Sequence, residues 1–311
     1  MRFFLGVPPQ AIGPTTLTIG NFDGVHLGHR AMLDALKKKA VEQGLPVAVL
    51  TFEPHPRELF APDQAPPRLT SLREKLELLK DAGVDFVYLY HFTRKSSSLS
   101  AEEFIAEILV KGLSVRHLIV GDDFRFGKGR SGDFALLAAN GARHGFTVEA
   151  LPTISLDDVR VSSSAVRDAL LADDLDLAAR LLGRPYSIAG RVVHGDKIGR
   201  VLGFHTANVQ LKRKRLPLSG VFAVRVSGLD GERLHGVANI GVRPTLTAGM
   251  KPVLEVHLLD FGCDIYGAHL DVHFLHKIRN EQRFESREAL QAQIAADVEA
   301  TRTYFAGNKN G

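Results

Sequence analysis

The sequence predicts an α/β protein in two parts: a parallel β-sheet wrapped by helices, then a compact antiparallel β-barrel followed by a terminal helix. Three observations predict it. Up to about residue 183, short apolar runs alternate with amphipathic segments, the rhythm of a parallel sheet with helical crossovers. After GRPYSIAGRVV, short strands follow at close spacing with Gly, Pro and Asp between them, which suits an antiparallel barrel. The last amphipathic stretch, SREALQAQIAADVEATRTYF, opens with a Ser-x-x-Glu-like cap at Ser286, with Glu288 close by.

Taken in order, the strands of the first part are TLTIGNF, PVAVLTFEP, DFVYLYHF, HLIVGDDF and FTVEALPTI, rich in Val, Ile, Leu and Phe. Between them lie the helical patterns HRAMLDALKKKAVEQG, LTSLREKLELLKDAG, SAEEFIAEILVKG and DFALLAANGARHG, several of which end in Gly, a common helix stop. The second part reads as strands YSIAGRVV, GVFAVRVSGL, RLHGVANIG, PVLEVHLLDF and HLDVHFLHKIR. The boundary falls between Leu182 and Ser187, giving domains 1–184 and 185–311. No internal repeat or low-complexity segment interrupts either part.

Composition narrows the function classes. At 311 residues the chain can bury a sizeable core. No apolar run approaches the roughly 20 residues of a membrane span, and no signal-peptide pattern opens the chain. A single cysteine, Cys263, excludes an internal disulfide and fits a reducing cytosol. The net charge of +4 is mildly basic, but Lys and Arg are scattered. The one dense run, LKRKRL at 211–216, reads as a solvated hairpin turn. The expectation is a cytoplasmic protein, a monomer or weak homo-oligomer, with neither nucleic-acid nor membrane partners. Small phosphorylated ligands suit its charge better.

GNFDGVHLGHR, residues 20–30, lies where a strand gives way to a helix, at the carboxyl end where such sheets bind ligands. His26 and His29 are three apart and project from one helix face. In the first turn, free backbone N–H groups and the macrodipole favour an anion. No Cys or His pair stands nearby to complete a zinc site. Gly20, Gly24 and Gly28 let the backbone approach a ligand closely. SSSAVRDALL, from Ser162, is a second loop-to-helix entry. One serine suffices for a cap, whereas three hydroxyls with Arg167 suit a second phosphate grip.

These stretches carry a resemblance. GNFDGVHLGHR resembles the H-x-G-H signature of the nucleotidylyltransferase superfamily, and VSSSAVRDAL its I-S-S-T-x-x-R partner. VGDDFRFGKGRSGD resembles the adenylyltransferase module of bacterial bifunctional riboflavin kinase/FAD synthetases. The resemblance implies a Rossmann-like nucleotidylyltransferase domain in which His26 and His29 are catalytic, holding ATP phosphates during attack on the α-phosphate. Gly20, Asn21, Gly28, Ser163 and Ser164 would line the nucleotide, with Arg167 on the departing pyrophosphate and Asp123 near the flavin. GKGRSG, 127–132, also satisfies G-x-G-x-x-G. It comes several residues after its strand, however, so a flavin-side loop is the better reading than a dinucleotide fingerprint.

GDKIGRVLGFHTANV, 195–209, resembles the family's riboflavin kinase module, where a glycine-rich arch precedes a Pro-Thr-Ala-Asn motif. The resemblance implies that Gly199 and Gly203 cover ATP phosphates, and that Thr206 and Asn208 contact Mg²⁺ and phosphate. In VLEVHLLDF, Glu255 alternates with Leu254 and Val256 and should leave the apolar face. By pattern alone it is a solvated carboxylate; by resemblance to the family's L-E-V-H-L segment it is the base on the riboflavin 5′-hydroxyl. GVANIGVRPT and KIRNEQRF match the module as well, with Arg279 at the flavin. His205 stands where the family has Pro, relaxing φ and restoring an N–H. Kinase activity is expected to survive at full or reduced rate, and His205→Pro should raise the kinase rate if that departure matters.

The reading is a two-step enzyme: riboflavin to FMN, then FMN to FAD, each with ATP and Mg²⁺. One alternative is an FMN adenylyltransferase alone, its kinase domain impaired at His205. A binding regulator without chemistry would not require the Glu255 base, and an NAD-dependent oxidoreductase would rest on GKGRSG only.

Overall fold

A computed structural model describes residues 1–194, 204, 206–229, 232–245 and 249–308. Gly199, Gly203 and His205 lie outside the described residues. The chain forms two compact units, Met1–Pro66 with Leu72–Ser162, and Pro67–Ser71 with Ser163–Gly311.

The first unit holds a six-stranded parallel sheet: β1 (Arg2–Leu5), β2 (Thr15–Ile19), β3 (Val47–Glu53), β4 (Phe86–His91), β5 (Val115–Gly121) and β6 (Thr147–Leu151). Their order is β1-β4-β3-β2-β5-β6. β2 and β3 are continuous apolar or Thr-bearing runs because helices cover the sheet, so Leu17, Ala48, Val49 and Leu50 are wholly buried. The order reverses between β2 and β5, and a crevice at such a point is where α/β sheets take ligands. The five strands expected from sequence are all present, and β1 is an addition. RFFL pairs with β4 alone and leaves Phe3 and Leu5 exposed, so no buried alternation announced it.

The helices of this unit are α1 (Leu27–Gln43), α2 (Pro56–Phe60), α3 (Leu72–Asp81), α4 (Ala101–Glu103, continuing as a π-helical stretch, Phe104–Gly112) and α5 (Phe134–His144). α1 and α5 stop at Gly44 and Gly145, both left-handed, where a residue without a Cβ is unstrained. Two short strands, β7 (Ser155–Leu156) and β8 (Val159–Arg160), form a hairpin after β6.

The second unit begins with α6 (Ser163–Leu171) and α7 (Leu175–Leu182). Six strands then close a barrel: β9 (Ser187–Val193), β10 (Thr206–Val209), β11 (Gly220–Leu229), β12 (Glu232–Thr245), β13 (Gly249–Leu258) and β14 (His269–Arg279), in the order β10-β13-β12-β11-β14-β9. All its pairings are antiparallel. Phe222, Val224, Val226, Ala238, Val256, Leu270, Val272 and Phe274 fill it. The units part at Ser162, before the change of rhythm near residue 183. α6 and α7 stand on the barrel side, where Lys277 of β14 reaches Asp173 between them (2.6 Å).

Two local readings change. TANV, absent from the strands expected from sequence, is strand β10. LKRKRL forms no hairpin among the described residues, and Arg213 within it is buried and donates to the Tyr186 hydroxyl (2.8 Å). A buried arginine needs such a partner.

The barrel is followed by α8 (Arg287–Gly307), capped as expected by Ser286, whose hydroxyl accepts from the Ala289 N–H. Arg279 grips α8 with two parallel bonds to Asp297, Nε to Oδ1 and Nη2 to Oδ2, both 2.8 Å. His235 stacks on Phe305 and His276 on Tyr304, at centroid distances of 3.7 and 4.9 Å. Asp297 is 4% exposed and Arg279 20%; removing one partner of so enclosed a pair strands the other's charge. Asp297→Ala is expected to cost about 3 kcal/mol, read as a lower denaturant midpoint.

Candidate active sites

The β2–α1 turn builds the first site. Phe22 and Val25 hold positive φ of 49° and 41°, with Gly24 between them at 83°. A β-branched residue in that region is strained by about 1–3 kcal/mol, a cost that persists where surrounding structure imposes it. Here Phe22 and Val25 are both buried in the core. The turn delivers His26 to the N-cap of α1, where its Nδ1 accepts from the His29 N–H (3.3 Å). An accepting ring nitrogen carries no proton, so neutral His26 keeps its hydrogen on Nε2 as a donor.

The two imidazoles stack at a centroid distance of 3.7 Å, and Phe22 covers His29 at 4.7 Å. Burial pushes the His29 imidazole well below the usual histidine range, and neighbouring His26 and Lys75 push it the same way. His29 is therefore neutral at physiological pH. Its Nδ1 and the Asn21 Oδ1 are buried without a hydrogen-bond partner among the described residues. Unpaired buried polar atoms are costly, and a ligand that supplies partners would relieve them. A Cβ on Gly28 would meet the His26 ring at 3.2 Å and the Val161 carbonyl at 3.5 Å. The Val161 spacing is ordinary contact, so a side chain at position 28 would act by crowding the His26 ring.

Asp123 follows β5, across the order reversal from β2. Its carboxylate binds Arg160 (2.5 Å), while Asp122 accepts from the Thr153 N–H and hydroxyl (3.0 Å each). The Thr153 bonds hold the Asp122 carboxyl below its usual range. Two of the three glycines of GKGRSG, Gly127 and Gly132, serve packing, while Gly129 has open space and a positive φ of 64°. A Cβ on Gly127 would lie 2.8 Å from the Ala101 backbone, and one on Gly132 would lie 2.6 Å from the Phe126 ring.

In the second unit, Ser163 starts α6 and Ser164 follows in its first turn, half-buried and exposed respectively. Arg167 is buried, its Nε donating to the Pro67 carbonyl (2.7 Å). On the barrel, Ala207 and Val209 face inward, so Thr206 and Asn208 face out together. Asn208 stands opposite Glu255, which also pairs with Asn239, and Thr206 stands opposite His257. Directly opposed residues lie about 5 Å apart at Cβ. Strand pairing thus gathers a hydroxyl, an amide and a carboxylate on one face. The expected alternation holds: Leu254, Val256 and Leu258 are buried while Glu255 is only partly so. Arg279 stands apart from this cluster in its bonding, committed to Asp297 and, through Nη1, to the Asn280 carbonyl (3.0 Å).

Family models match both parts, FAD synthetase over residues 9–165 and riboflavin kinase over 182–305. The chain belongs to the bifunctional riboflavin kinase/FMN adenylyltransferase family. A member from Escherichia coli strain K12 is 55% identical, the match covering 93% of this chain and 92% of that protein. Another from Pseudomonas fluorescens is 56% identical over 93% of this chain. A crystal structure described as a macrolide-efflux protein from Streptococcus pneumoniae superposes with a TM-score of 0.80 at 29% identity, covering 96% of this chain and 98% of that one. Among the described residues no helix is long and apolar enough to cross a membrane.

Within the adenylyltransferase half of this family fold, sequence reasoning missed Lys75 and Thr51. Lys75 lies on α3 and is 6% exposed; its Nζ bonds the Thr51 hydroxyl (3.4 Å), which donates to the Asn21 carbonyl (3.1 Å). A signal existed: Lys75 falls between Leu72 and Leu79 on the buried stripe of LREKLELL, where a charge demands an explanation.

Proposed function

We propose that the barrel half transfers the ATP γ-phosphoryl group to riboflavin, giving FMN and ADP, and that the nucleotidylyltransferase half transfers AMP from a second ATP to FMN, giving FAD and pyrophosphate. The observation that carries this reading is the presence of both family domains in one chain. The adenylyltransferase-only alternative finds no support, since the riboflavin kinase match spans the whole barrel. We place the functional boundary at 184/185, close to the start of the riboflavin kinase match at residue 182.

In the adenylylation step an FMN phosphate oxygen attacks the ATP α-phosphorus. A bond forms there as the bond to the α–β bridging oxygen breaks, and pyrophosphate leaves. The attacking phosphate is already nucleophilic, so positioning and charge stabilisation carry the step. His26 Nε2–H and His29 donate to the phosphates; Gly20 and Gly28 allow close approach, and Asn21 Oδ1 accepts from the nucleoside. Ser163, Ser164 and Arg167 hold the pyrophosphate, with Asp123 at the flavin side.

In the kinase step Glu255 takes the proton of the 5′-hydroxyl as its oxygen attacks the γ-phosphorus. The oxygen donors of Thr206 and Asn208, with Glu255 opposite, suit Mg²⁺, a hard cation that takes its other ligands from phosphates and water. When bound, the ion neutralises phosphate charge. Arg279 supports the flavin side by fixing α8 through Asp297.

Chromatography of flavins after incubation with ATP and Mg²⁺ tests both halves. FAD should form from riboflavin and from FMN. Conversion of neither would overturn the enzyme reading, and conversion of FMN alone would remove the kinase.

A further inference from the structure

We propose that Lys75 is a positioning residue for FMN adenylylation: its buried ammonium, tied through Thr51 to the β2–α1 turn, holds the turn that presents His26 and His29. The proposal deepens the adenylyltransferase reading and rests on it.

The geometry is a chain of contacts beneath the site. Lys75 projects from the buried face of α3 among core side chains of the first unit, Leu79 being fully enclosed. Its Nζ donates to Thr51 Oγ1 (3.4 Å) at the end of β3, and Thr51 is itself wholly buried. A threonine hydroxyl has one proton and two lone pairs. Accepting from lysine aims that proton at the Asn21 carbonyl (3.1 Å), in the turn that carries His26 and His29. The lysine thus fixes the direction of the hydroxyl, and the hydroxyl fixes the turn. A lysine is a poor core residue in every other respect, since burying its charge costs several kcal/mol. A core position between two leucines would be served better by leucine or methionine.

The charge acts as well as the bond. The titratable groups that bear on His29 are His26, stacked on it from the cap of its own helix, and Lys75 from α3; Phe22 covers the ring from the turn. Burial above all, and then the neighbouring His26 and the Lys75 charge, disfavour protonation of His29. A neutral His29 beside a phosphate donates a ring N–H without trapping the product anion as a fixed cation would. The sign follows: removing the lysine charge raises the His29 pKa, so protonation begins at a higher pH, and FAD formation is lost earlier on the acid side.

The test uses the full chain and FMN, ATP and Mg²⁺, with riboflavin phosphorylation by the same preparation as the control for folding. Lys75→Met is expected to displace the acid limb of the FMN adenylylation kcat profile to higher pH, so that the rate falls more at acid pH than at about pH 8.5. Lys75→Arg, which keeps the charge, should return the limb toward its original place. Riboflavin phosphorylation should be unchanged in both. An unmoved acid limb in Lys75→Met overturns the proposal whatever the overall rate, as does a limb displaced downward or an arginine variant no better than methionine. If Lys75→Met loses kinase activity too and so has not folded, the isosteric Thr51→Val decides. An unchanged adenylylation rate and pH profile there would overturn the positioning chain. Absence of FAD from the unaltered chain would instead reject the adenylyltransferase reading itself.

Discussion

Replacing His29 by alanine is expected to lower FMN adenylylation by about 10²–10³-fold, the usual cost of one preorganised donor to developing charge. Riboflavin phosphorylation by the same chain should continue unchanged. The histidine does two things in the turn. Its backbone N–H closes the cap onto His26 Nδ1 (3.3 Å), and its ring stacks on that of His26. Alanine keeps the N–H and the cap, so the turn persists and the ring is lost. The fall should therefore appear in kcat more than in the KM for ATP. A fall in both activities would point to misfolding, and retention of FAD synthesis would remove His29 from the mechanism. His26→Ala should be at least as severe, because it removes the cap as well.

Glu255→Gln is expected to abolish riboflavin phosphorylation by about 10²–10⁴-fold, the range for loss of a positioned general base. Conversion of FMN to FAD should be left intact. Glutamine preserves the shape, the strand and the pairing of Glu255 with Asn208 and Asn239. The barrel should fold unchanged, and a rate that stays low at saturating Mg²⁺ assigns the loss to proton removal rather than to weaker ion binding. Flavin chromatography checks it: unreacted riboflavin in one tube, FAD in the tube started from FMN. Steady FMN production by the glutamine variant would return Glu255 to the role of a solvated strand carboxylate.

Much of this was legible in the sequence, for identifiable reasons. The alternation in PVLEVHLL put Glu255 off the core face because strand side chains have a period of two, and that rule needs no partner. The strand-to-helix change at GNFDGVHLGH put His26 and His29 in a first helical turn at the carboxyl end of a parallel strand. Other elements carried no such signal. RFFL became β1 because β4 offered a free edge, and TANV became β10 because β13 and β9 flank it. Four residues are too few for a period to show.

By itself, the sequence determined the two-part architecture, the place of the histidine pair and the face of Glu255, all properties of local period and punctuation. Only the tertiary structure decided what each charged side chain is bonded to. Arg279 read as a flavin contact, yet the fold engages it with Asp297, 18 residues on. Lys75 drew no reading from the sequence, yet it lies buried, bonded through Thr51 to the Asn21 carbonyl, and bears on His29. Arg213 read as part of a solvated turn and is buried against Tyr186. The physical reason is common to all three. A charge can enter the interior only with a partner, and the partner is chosen by how distant segments pack.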